Sequence, residues 1–376
     1  MKVIVVGFGV LGAAVSYHLA RLGATVLTID AGSSKPKVSE ATFSCLSVFG
    51  TRSESYLEFR LRAMRYLREL CGAIRADHAV RMNGTLRWSG DDRRRKLLER
   101  DAQFLLDHQV RCRRVSAGKV AALEPELRVP PEQDLFHVPD EGWLDVAPYI
   151  GRLLAGEPSG AVEVRTTVVS ICEPAATCVR VRTSDGWLEA DRVVLAAGTQ
   201  TAALARCIGV ALPVEEHPGV LAFSARTSVP LKHVIYADDV HFSADAAQRI
   251  VGALTAPHGQ APIPSQEEAR NEARDVLDRA SHWLPNLRGS AVAVAKVGVR
   301  PVPADGFPIA GWLPGSDRVY VLTSHSGVTL SALLGRWCAQ EVAGGAPVDE
   351  LKPYHPERFS ICKPARQAAV AEGRPS

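Results

Sequence analysis

The sequence predicts an α/β protein in which a parallel sheet is accompanied by a second, mixed α+β region. Two observations carry this prediction: a strand–turn–helix–strand unit fills the first thirty residues, and later apolar strands alternate with helical patterns. The length of 376 residues is sufficient for two domains. The content of 46% hydrophobic and 23% charged residues is typical of a globular chain.

The first unit begins with the apolar run 3–6, which is typical of a strand buried on both faces. In the following G-x-G-x-x-G turn, Gly7 allows the tight turn and Gly9 lets the backbone approach a pyrophosphate. Gly12 lets the helix pack closely on the sheet, and Asp30 ends the second strand where a carboxylate accepts from ribose hydroxyls. This pattern predicts a dinucleotide site. The acid at position 30 disfavours NADP but does not separate NAD from FAD.

The composition excludes several classes of protein. Lysine and arginine total 44 and aspartate and glutamate total 41, so the net charge of +3 argues against nucleic acid as a partner. The eight cysteines include no CxxC pair, which predicts neither a zinc site nor a disulfide framework. The strand–turn–helix unit explains the apolar start better than a secretion signal does. No other segment approaches the ~18 apolar residues of a membrane span. We therefore predict a cytoplasmic protein without stable membrane insertion.

Two later segments indicate where the rest of the dinucleotide site lies. The strand 190–195 follows a hairpin-like stretch, 166–186, and ends in the small residues Ala196, Ala197 and Gly198, which allow close approach to the dinucleotide. The second segment, 297–311, leads to the strand 318–322 and to the turn 324–327. This turn opens a helix whose predicted apolar face consists of Leu330, Leu333, Leu334, Trp337 and Val342.

In this order, the segments resemble the D-amino-acid oxidase superfamily of flavoproteins, particularly glycine oxidases, sarcosine oxidases and related amine oxidoreductases. The resemblance extends to about Phe359 and includes Gly84-Thr85-Leu86 and Gly142-Trp143-Leu144-Asp145, each before a helix. It implies a Rossmann-like FAD-binding domain with a mixed-sheet α+β substrate domain. In that family the adenosine end of FAD lies on the first βαβ unit, and the flavin ring reaches the substrate domain.

The resemblance also implies the cofactor contacts. Backbone N–H groups at the start of the helix near Val328 would stabilise negative charge on reduced flavin, whereas an ordinary N-cap by Ser326 is the other reading of that turn. The sequence departs from the family at Ser324 and Thr329, where glycines are usual, and in the bulk of Cys45 and Leu46 before the flavin. Sarcosine oxidases carry a cysteine near the segment that corresponds to 297–311, and it binds the flavin covalently. Because no cysteine lies between Cys207 and Cys338 here, the resemblance implies non-covalent FAD. The implied FAD-binding residues are Gly7, Gly9, Val10, Leu11, Gly12, Asp30, Thr42, Ser44, Val168, Ala197, Gly198, Gly298, Ser326, Gly327, Val328 and Thr329.

The resemblance implies that Arg300 binds the substrate carboxylate, because a planar guanidinium grips a carboxylate through two hydrogen bonds. A structural arginine that bonds a turn carbonyl is the alternative. The pocket over the flavin is implied to include Tyr236 and His241, both within the strand pattern 234–242. His325 lies at the turn beside the ring, and a structural role for it is equally open.

The implied reaction is oxidation of the C–N bond of an α-amino or N-alkyl amino acid by hydride transfer to flavin N5, which gives an imine. Oxygen or an electron carrier would reoxidise the flavin. The alternatives are an FAD-dependent 2-hydroxy acid dehydrogenase, an NAD-dependent dehydrogenase and a flavin-binding protein without redox function. No metal site is predicted, because the spacing of His233, Asp238, Asp239 and His241 fits no standard set of ligands.

The order of the motifs predicts two interleaved domains. The FAD-binding domain is assigned residues 1–85, 145–210 and 295–362. The substrate domain is assigned residues 86–144 and 211–294, with a helix over 265–284, and residues 363–376 are expected to form a flexible tail. No feature of the sequence predicts an oligomeric state.

Overall fold

The computed structural model describes residues 1–32, 38–155, 162–167, 169–175, 177–255 and 261–359. Within these residues the chain forms the eight α-helices α1 Val10–Arg21, α2 Glu54–Ala73, α3 Asp92–Asp107, α4 Ala117–Leu123, α5 Val146–Ala155, α6 Thr201–Arg206, α7 Gln266–Trp283 and α8 Gly327–Val342. The strands of the first half are β1 Lys2–Val6, β2 Thr25–Asp30, β3 Cys45–Leu46, β4 Val80–Arg81, β5 Thr85–Trp88, β6 Arg113–Val115, β7 Leu135–Val138, β8 Gly142–Leu144, β9 Val162–Thr166 and β10 Val169–Pro174. Those of the second half are β11 Val179–Thr183, β12 Gly186–Ala190, β13 Arg192–Leu195, β14 Val214–Arg226, β15 Val234–Ala237, β16 Val240–Ala244, β17 Arg249–Leu254, β18 Val292–Pro303, β19 Ile309–Trp312 and β20 Val319–Thr323.

The first sheet has six strands in the order β19-β20-β13-β1-β2-β9. All neighbours are parallel except β19, which runs antiparallel to β20. The central strand β1 is buried over Val3–Val6, as the uninterrupted apolar run predicts. Gly23 ends α1 in a left-handed conformation with φ +82°, and Ala24 N donates to Leu19 O to close the helix. The predicted α/β class is therefore confirmed.

Helices α1 and α8 pack directly against each other on one face of this sheet. Gly335 of α8 lies so close to α1 that an added Cβ would be 2.7 Å from Ala14 Cβ. On its other side α8 packs against α2, where the rings of Phe59 and Trp337 stack 5.1 Å apart. The predicted apolar face of α8 is buried at all five positions. This close packing fixes where α1 and α8 begin relative to each other.

The second large sheet has eight strands in the order β18-β14-β17-β16-β15-β5-β7-β6. It is mixed, since β15 pairs with β5 in parallel while its other neighbours are antiparallel. Helix α7 covers one face of this sheet and confirms the helix predicted over 265–284. Ser265 and Glu268 cap its N-terminus reciprocally, the side chain of each accepting from the backbone N–H of the other.

Strand alternation gives the two faces of the eight-stranded sheet different surroundings. Val220 and Ala222 of β14 belong to the cluster that packs around α7. The alternate positions point to the opposite face, which we call the inner face. Strand register places two pairs of side chains on it, Tyr236 opposite His241 and His217 opposite Arg300. Arg87 of β5 pairs with Tyr236 and lies on the same face.

Two details of the predicted strands are wrong. The pattern 234–242 is not one strand but the hairpin β15–β16, which turns at Asp238 with φ +51°. A short polar side chain tolerates this left-handed conformation, and two adjacent aspartates are a turn signal. Ala190 belongs to β12 rather than to the following strand, because Asp191 separates β12 from β13.

Two smaller antiparallel sheets complete the fold, with the orders β10-β11-β12 and β3-β8-β4. The division into two domains at the boundaries given above stays a prediction. The expected tail 363–376 lies outside the described residues. In the described part of the chain, no helix is long and apolar enough to span a membrane.

The contact between α1 and α8 predicts the effect of adding one methyl group. Gly335→Ala should lower the midpoint of urea unfolding by the equivalent of about 1–3 kcal/mol, because the new Cβ meets both the side chain and the backbone of Ala14. Gly151→Ala in α5 is the matched control, since nothing lies within 4 Å of its added Cβ. Alanine there should leave the midpoint unchanged or raise it. Equal effects of the two substitutions would contradict this account.

Candidate functional site

The N-termini of α1 and α8 lie side by side, and neither N-cap residue bonds the first turn of its own helix through a side chain. An added Cβ at Gly327 would be 3.6 Å from the side chain of Leu11, which places the two helix starts next to each other. In the described chain, neither Gly9 nor Ser326 supplies a side-chain cap, and neither first turn contains an acid. Two positive helix ends therefore converge on one region, which suits a ligand that carries negative charge at two points.

The glycine-rich turn is shaped by close packing. Gly7 has φ +103°, and a Cβ there would lie 2.4 Å from Ala196 O. A Cβ at Gly12 would lie 2.0 Å from Gly7 O, so the helix is packed against the turn itself. Small residues are required on both sides of this contact, and the strand end at Ala196 supplies them.

The Asp30 carboxylate holds the turn from the end of β2. It accepts from Phe8 N and from Gly32 N, each at 2.8 Å. Ser39 approaches the same turn, and its Oγ accepts from Val10 N at 3.0 Å. Sequence reasoning missed Ser39 because the fold, rather than any local pattern, brings it to the start of α1.

The structure shows only part of the adenosine side of the predicted site. Gly198 has φ +59° with nothing within 4 Å of an added Cβ, so open space adjoins it next to the half-buried Ala197. Val168 was expected to contact adenine, and it lies outside the described residues.

The segment 41–46 lies between the inner face and the start of α8. A Cβ at Gly298 of β18 would lie 2.5 Å from Ala41 O, so the strand backs directly onto this segment. Thr42 and Ser44 bond each other, with Ser44 N donating to Thr42 Oγ1 at 3.2 Å. Thr329 Oγ1 donates to Cys45 O at 3.3 Å. The threonine that replaces the family glycine therefore anchors the segment to α8.

The turn 324–327 and the first turn of α8 have local hydrogen bonds of their own. Ser324 Oγ accepts from Ser326 N at 3.1 Å, so Ser324 rather than the predicted Ser326 side chain fixes the turn. His325 is half-buried there and is engaged in a contact of its own. Val328 lies in the first turn of α8, and its carbonyl accepts from Ser331 Oγ.

Arg300 is a half-buried cation on the inner face. Its Nε donates to His217 O at 3.4 Å, a long hydrogen bond, and its guanidinium extends over Gly219. Among the described residues no carboxylate forms an ion pair with it. Burial lowers the pKa of Arg300, although a guanidinium stays charged at any physiological pH. This leaves a desolvated positive charge available to an external anion.

An aromatic group lies beside this cation. The rings of Tyr236 and His241 stack with their centres 5.3 Å apart. Phe43 and His241 form a T-shaped pair whose ring centres are 4.4 Å apart. Burial, with the nearby charges of Arg300 and Arg87, lowers the pKa of His241 to about 3. The imidazole is therefore neutral at any working pH and is unsuited to act as a base.

The buried ion pair of Arg87 and Glu141 is a feature that sequence reasoning missed. Their side chains are 7% and 0% exposed, and the nitrogen–oxygen distance is 2.8 Å. Glu141 also accepts from Ser47 and Thr85. The available signal was a charged residue within the otherwise uncharged strand 85–88, whose four residues are all buried.

The remaining candidates have structural partners. Lys296 Nζ donates to Glu40 O at 3.0 Å, which ties β18 to the start of the segment 41–46. His233 Nδ1 lies 2.6 Å from Glu124 Oε1 in a buried pair. The described part of the chain contains no cluster of three or more histidine, cysteine or acidic residues arranged to hold a metal.

This arrangement fits FAD. The glycine turn and the start of α1 offer a backbone cradle for a pyrophosphate, and Asp30 at the end of β2 would face the ribose. The uncapped start of α8 and the segment 41–46 line the region between this cradle and the inner face. An extended cofactor would place its redox-active ring beside Arg300 and the aromatic group.

Comparison with known proteins identifies the class. The family model described as FAD dependent oxidoreductase matches residues 2–341. The glycine oxidase of Bacillus licheniformis is 23% identical over 381 residues, which covers 98% of each chain. The D-amino acid dehydrogenase of Paramagnetospirillum magneticum is 26% identical over 82% of this chain and 76% of the relative. The solved glycine oxidase of Geobacillus kaustophilus shares the fold, with a TM-score of 0.84, 21% identity and coverage of 95% of this chain and 99% of that chain.

Fold and site together define a flavin-dependent oxidoreductase. The chain belongs to the DAO family of FAD-dependent oxidoreductases, because the family match spans nearly the whole described sequence. The predicted family and cofactor are thereby confirmed, and the NAD-dependent alternative is wrong. The roles assigned to individual site residues stay predictions.

Asp30→Asn should weaken FAD binding by roughly tenfold or more, because charge-assisted hydrogen bonds to the turn are weakened and the charge facing the ribose is lost. Dissociation constants are measured by titrating apoprotein with FAD and following flavin fluorescence. Asp191→Asn is the matched control, since Asp191 also accepts a backbone N–H, from Lys2, but lies away from the turn. Loss of affinity in both variants would contradict a specific role for Asp30.

Proposed function

We propose that this protein oxidises the C–N bond of an α-amino or N-alkyl amino acid and produces an imine. The observation that carries the proposal is the half-buried Arg300, which has no carboxylate partner in the described chain and lies beside a neutral aromatic group. Such a cation binds a substrate carboxylate and fixes the orientation of the α-carbon. The names of the relatives, glycine oxidase and D-amino acid dehydrogenase, support the same class of substrate.

FAD, which the glycine turn and the starts of α1 and α8 would hold, would supply the acceptor for a hydride from the substrate α-carbon. The chain supplies binding and orientation. Arg300 holds the carboxylate, while Tyr236 and Phe43 exclude water from one side of the site. A protonated amine would place a second positive charge near Arg300, which is unfavourable, so the amine binds uncharged. An uncharged amine requires no base. The 2-hydroxy acid alternative has no corresponding support from the relatives reported above.

Non-covalent FAD and a cytoplasmic location are part of the proposal. Cys45 lies on the segment 41–46, but burial raises the pKa of its thiol to about 12, so the thiolate needed for attack is not formed. The described cysteines Cys71, Cys112, Cys178 and Cys338 are likewise free thiols, which is typical of reducing compartments.

The proposal is tested by anaerobic flavin reduction with a panel of D-, L- and N-methyl amino acids. We expect purified protein to be yellow, to release its flavin on heat denaturation and to be bleached by at least one member of the panel. Matching 2-hydroxy acids form the second arm of the experiment. Bleaching by the hydroxy acids alone would replace this proposal with the alternative.

Arg300→Met should retain FAD but raise the KM for the reactive amino acid by roughly a hundredfold, because the charge-assisted pair with the carboxylate is lost. Lys296→Met is the matched control, since it removes a cation from the same strand and face that is bound to Glu40 O. Its KM should stay within about twofold of the wild type. Steady-state kinetics of both variants, with flavin content as the check on folding, decide the role of Arg300.

The pH dependence of kcat/KM should rise towards alkaline pH as the substrate ammonium loses its proton. Because burial lowers the pKa of His241 to about 3, its protonation occurs below the working range. His241→Asn should therefore leave the alkaline rise in the same position, even if the rate falls. A displaced rise in this variant would show that His241 takes part in proton transfer.

A further inference from the structure

Two arginines of the inner face, Arg87 and Arg300, are in opposite situations. Arg300 is half-buried and has no carboxylate partner in the described chain, whereas Arg87 is nearly fully buried and ion-paired. Burial opposes the charges of Arg87 and Glu141, but their mutual attraction outweighs it. The pKa of Arg87 is held above its ordinary value, and that of Glu141 is held below its own. Of these two arginines, Arg300 is therefore the one whose charge is available to a substrate anion.

Glu141 is bonded on both oxygens. Its Oε1 accepts from Ser47 Oγ, Val48 N and Phe49 N at 2.6–2.8 Å. Its Oε2 accepts from Thr85 Oγ1 at 2.6 Å and from Arg87 NH2 at 2.8 Å. This carboxylate joins the turn that follows the segment 41–46 to β5 and fixes the Arg87 guanidinium in one place.

The fixed guanidinium lies over the ring of Tyr236. The distance from Arg87 Cζ to the centre of the Tyr236 ring is 3.8 Å, and His241 covers another side of that ring at 5.3 Å. Tyr236 is thus held between a buried cation and a neutral imidazole. The edge of Phe43 extends the group, so the three rings form one continuous surface, which we call the aromatic wall.

Stability alone does not account for this arrangement. A buried ion pair is commonly no better for stability than apolar residues of the same volume. The buried Arg87 Nε also has no hydrogen-bond partner within the described residues, which costs free energy. A pair retained under these conditions is well suited to fixing the position of the Tyr236 ring that it contacts.

We propose that Arg87, locked by Glu141, positions Tyr236 as the aromatic wall of the substrate site and thereby makes the site selective for monocarboxylic amino acids with an apolar or aromatic side chain. The inference rests on the proposed function. Because Arg87 is already neutralised, the site offers a second substrate carboxylate no free cation at this position. The wall offers apolar surface instead.

The test compares a substrate that reaches the wall with one that does not. Phenylalanine is the first probe and glycine the second, with both enantiomers of phenylalanine assayed. Arg87→Lys keeps the charge but loses the planar face that stacks on the ring. It should lower the ratio of kcat/KM for phenylalanine over glycine by roughly fivefold, the value of one cation–π contact. Tyr236→Leu should have the same effect, and the double variant should be no worse than either single variant.

Arg180→Lys is the matched control. Arg180 stacks on Trp187 with a distance of 4.5 Å from Cζ to the ring centre, in the sheet β10-β11-β12 outside the proposed site. Its ratio should not change. Equal losses of kcat/KM for phenylalanine and glycine in Arg87→Lys would show that the pair of Arg87 and Glu141 has a structural role only. Additive losses in the double variant would show that Arg87 does not act through Tyr236.

A binding experiment separates failure of this inference from failure of the proposed function. Phenylacetate and acetate are titrated into the oxidised holoenzyme, and dissociation constants are read from the change in flavin absorbance. Arg87→Lys should weaken phenylacetate by roughly fivefold and leave acetate unchanged. This result needs no turnover, so it holds even if no amino acid reduces the flavin. Unchanged phenylacetate binding would overturn the inference while leaving the proposed reaction intact.

Discussion

The close packing of α1 on α8 is the contact on which the site depends. Gly335 and Ala14 bring the helices together without intervening side chains, so their N-termini begin side by side. Each N-terminus alone is a weak anion site, but two helix ends in one region, neither capped by its own N-cap residue, define the path of an extended, negatively charged cofactor. The inner face of the eight-stranded sheet lies beyond the N-terminus of α8, where Thr329 connects α8 to the segment 41–46 by a hydrogen bond.

Features encoded within a few neighbouring residues could be predicted from the sequence. The first βαβ unit and α7 were predicted correctly because glycine spacing and apolar periodicity are local signals. The hairpin at Asp238 was read as one strand because apolar alternation outweighed the turn residues. A family motif is what marks candidate site residues such as Arg300 in the sequence, and their roles stay predictions.

Contacts between distant parts of the chain were not predictable in this way. Ser39 reaches the start of α1 across 29 residues, and Glu141 bonds Arg87 across 54. No periodicity or composition links such pairs, because their proximity depends on how the two large sheets are placed. In the sequence, Arg87 stands out only as a charged residue within the apolar strand 85–88, and no sequence signal identifies Glu141 as its partner. Burial decides the role of Arg87 and of Glu141, because water does not solvate either charge.

The alternation of the eight-stranded sheet has a consequence for how this protein tolerates change. Side chains that pack on α7 and side chains that face the site occupy alternate positions on the same strands, as Val220 and Gly219 do. Folding information and recognition information are thus interleaved but carried by different residues. A library that varies only the inner-face positions, with the α7-facing positions kept, would sample new recognition surfaces on an unaltered hydrophobic core.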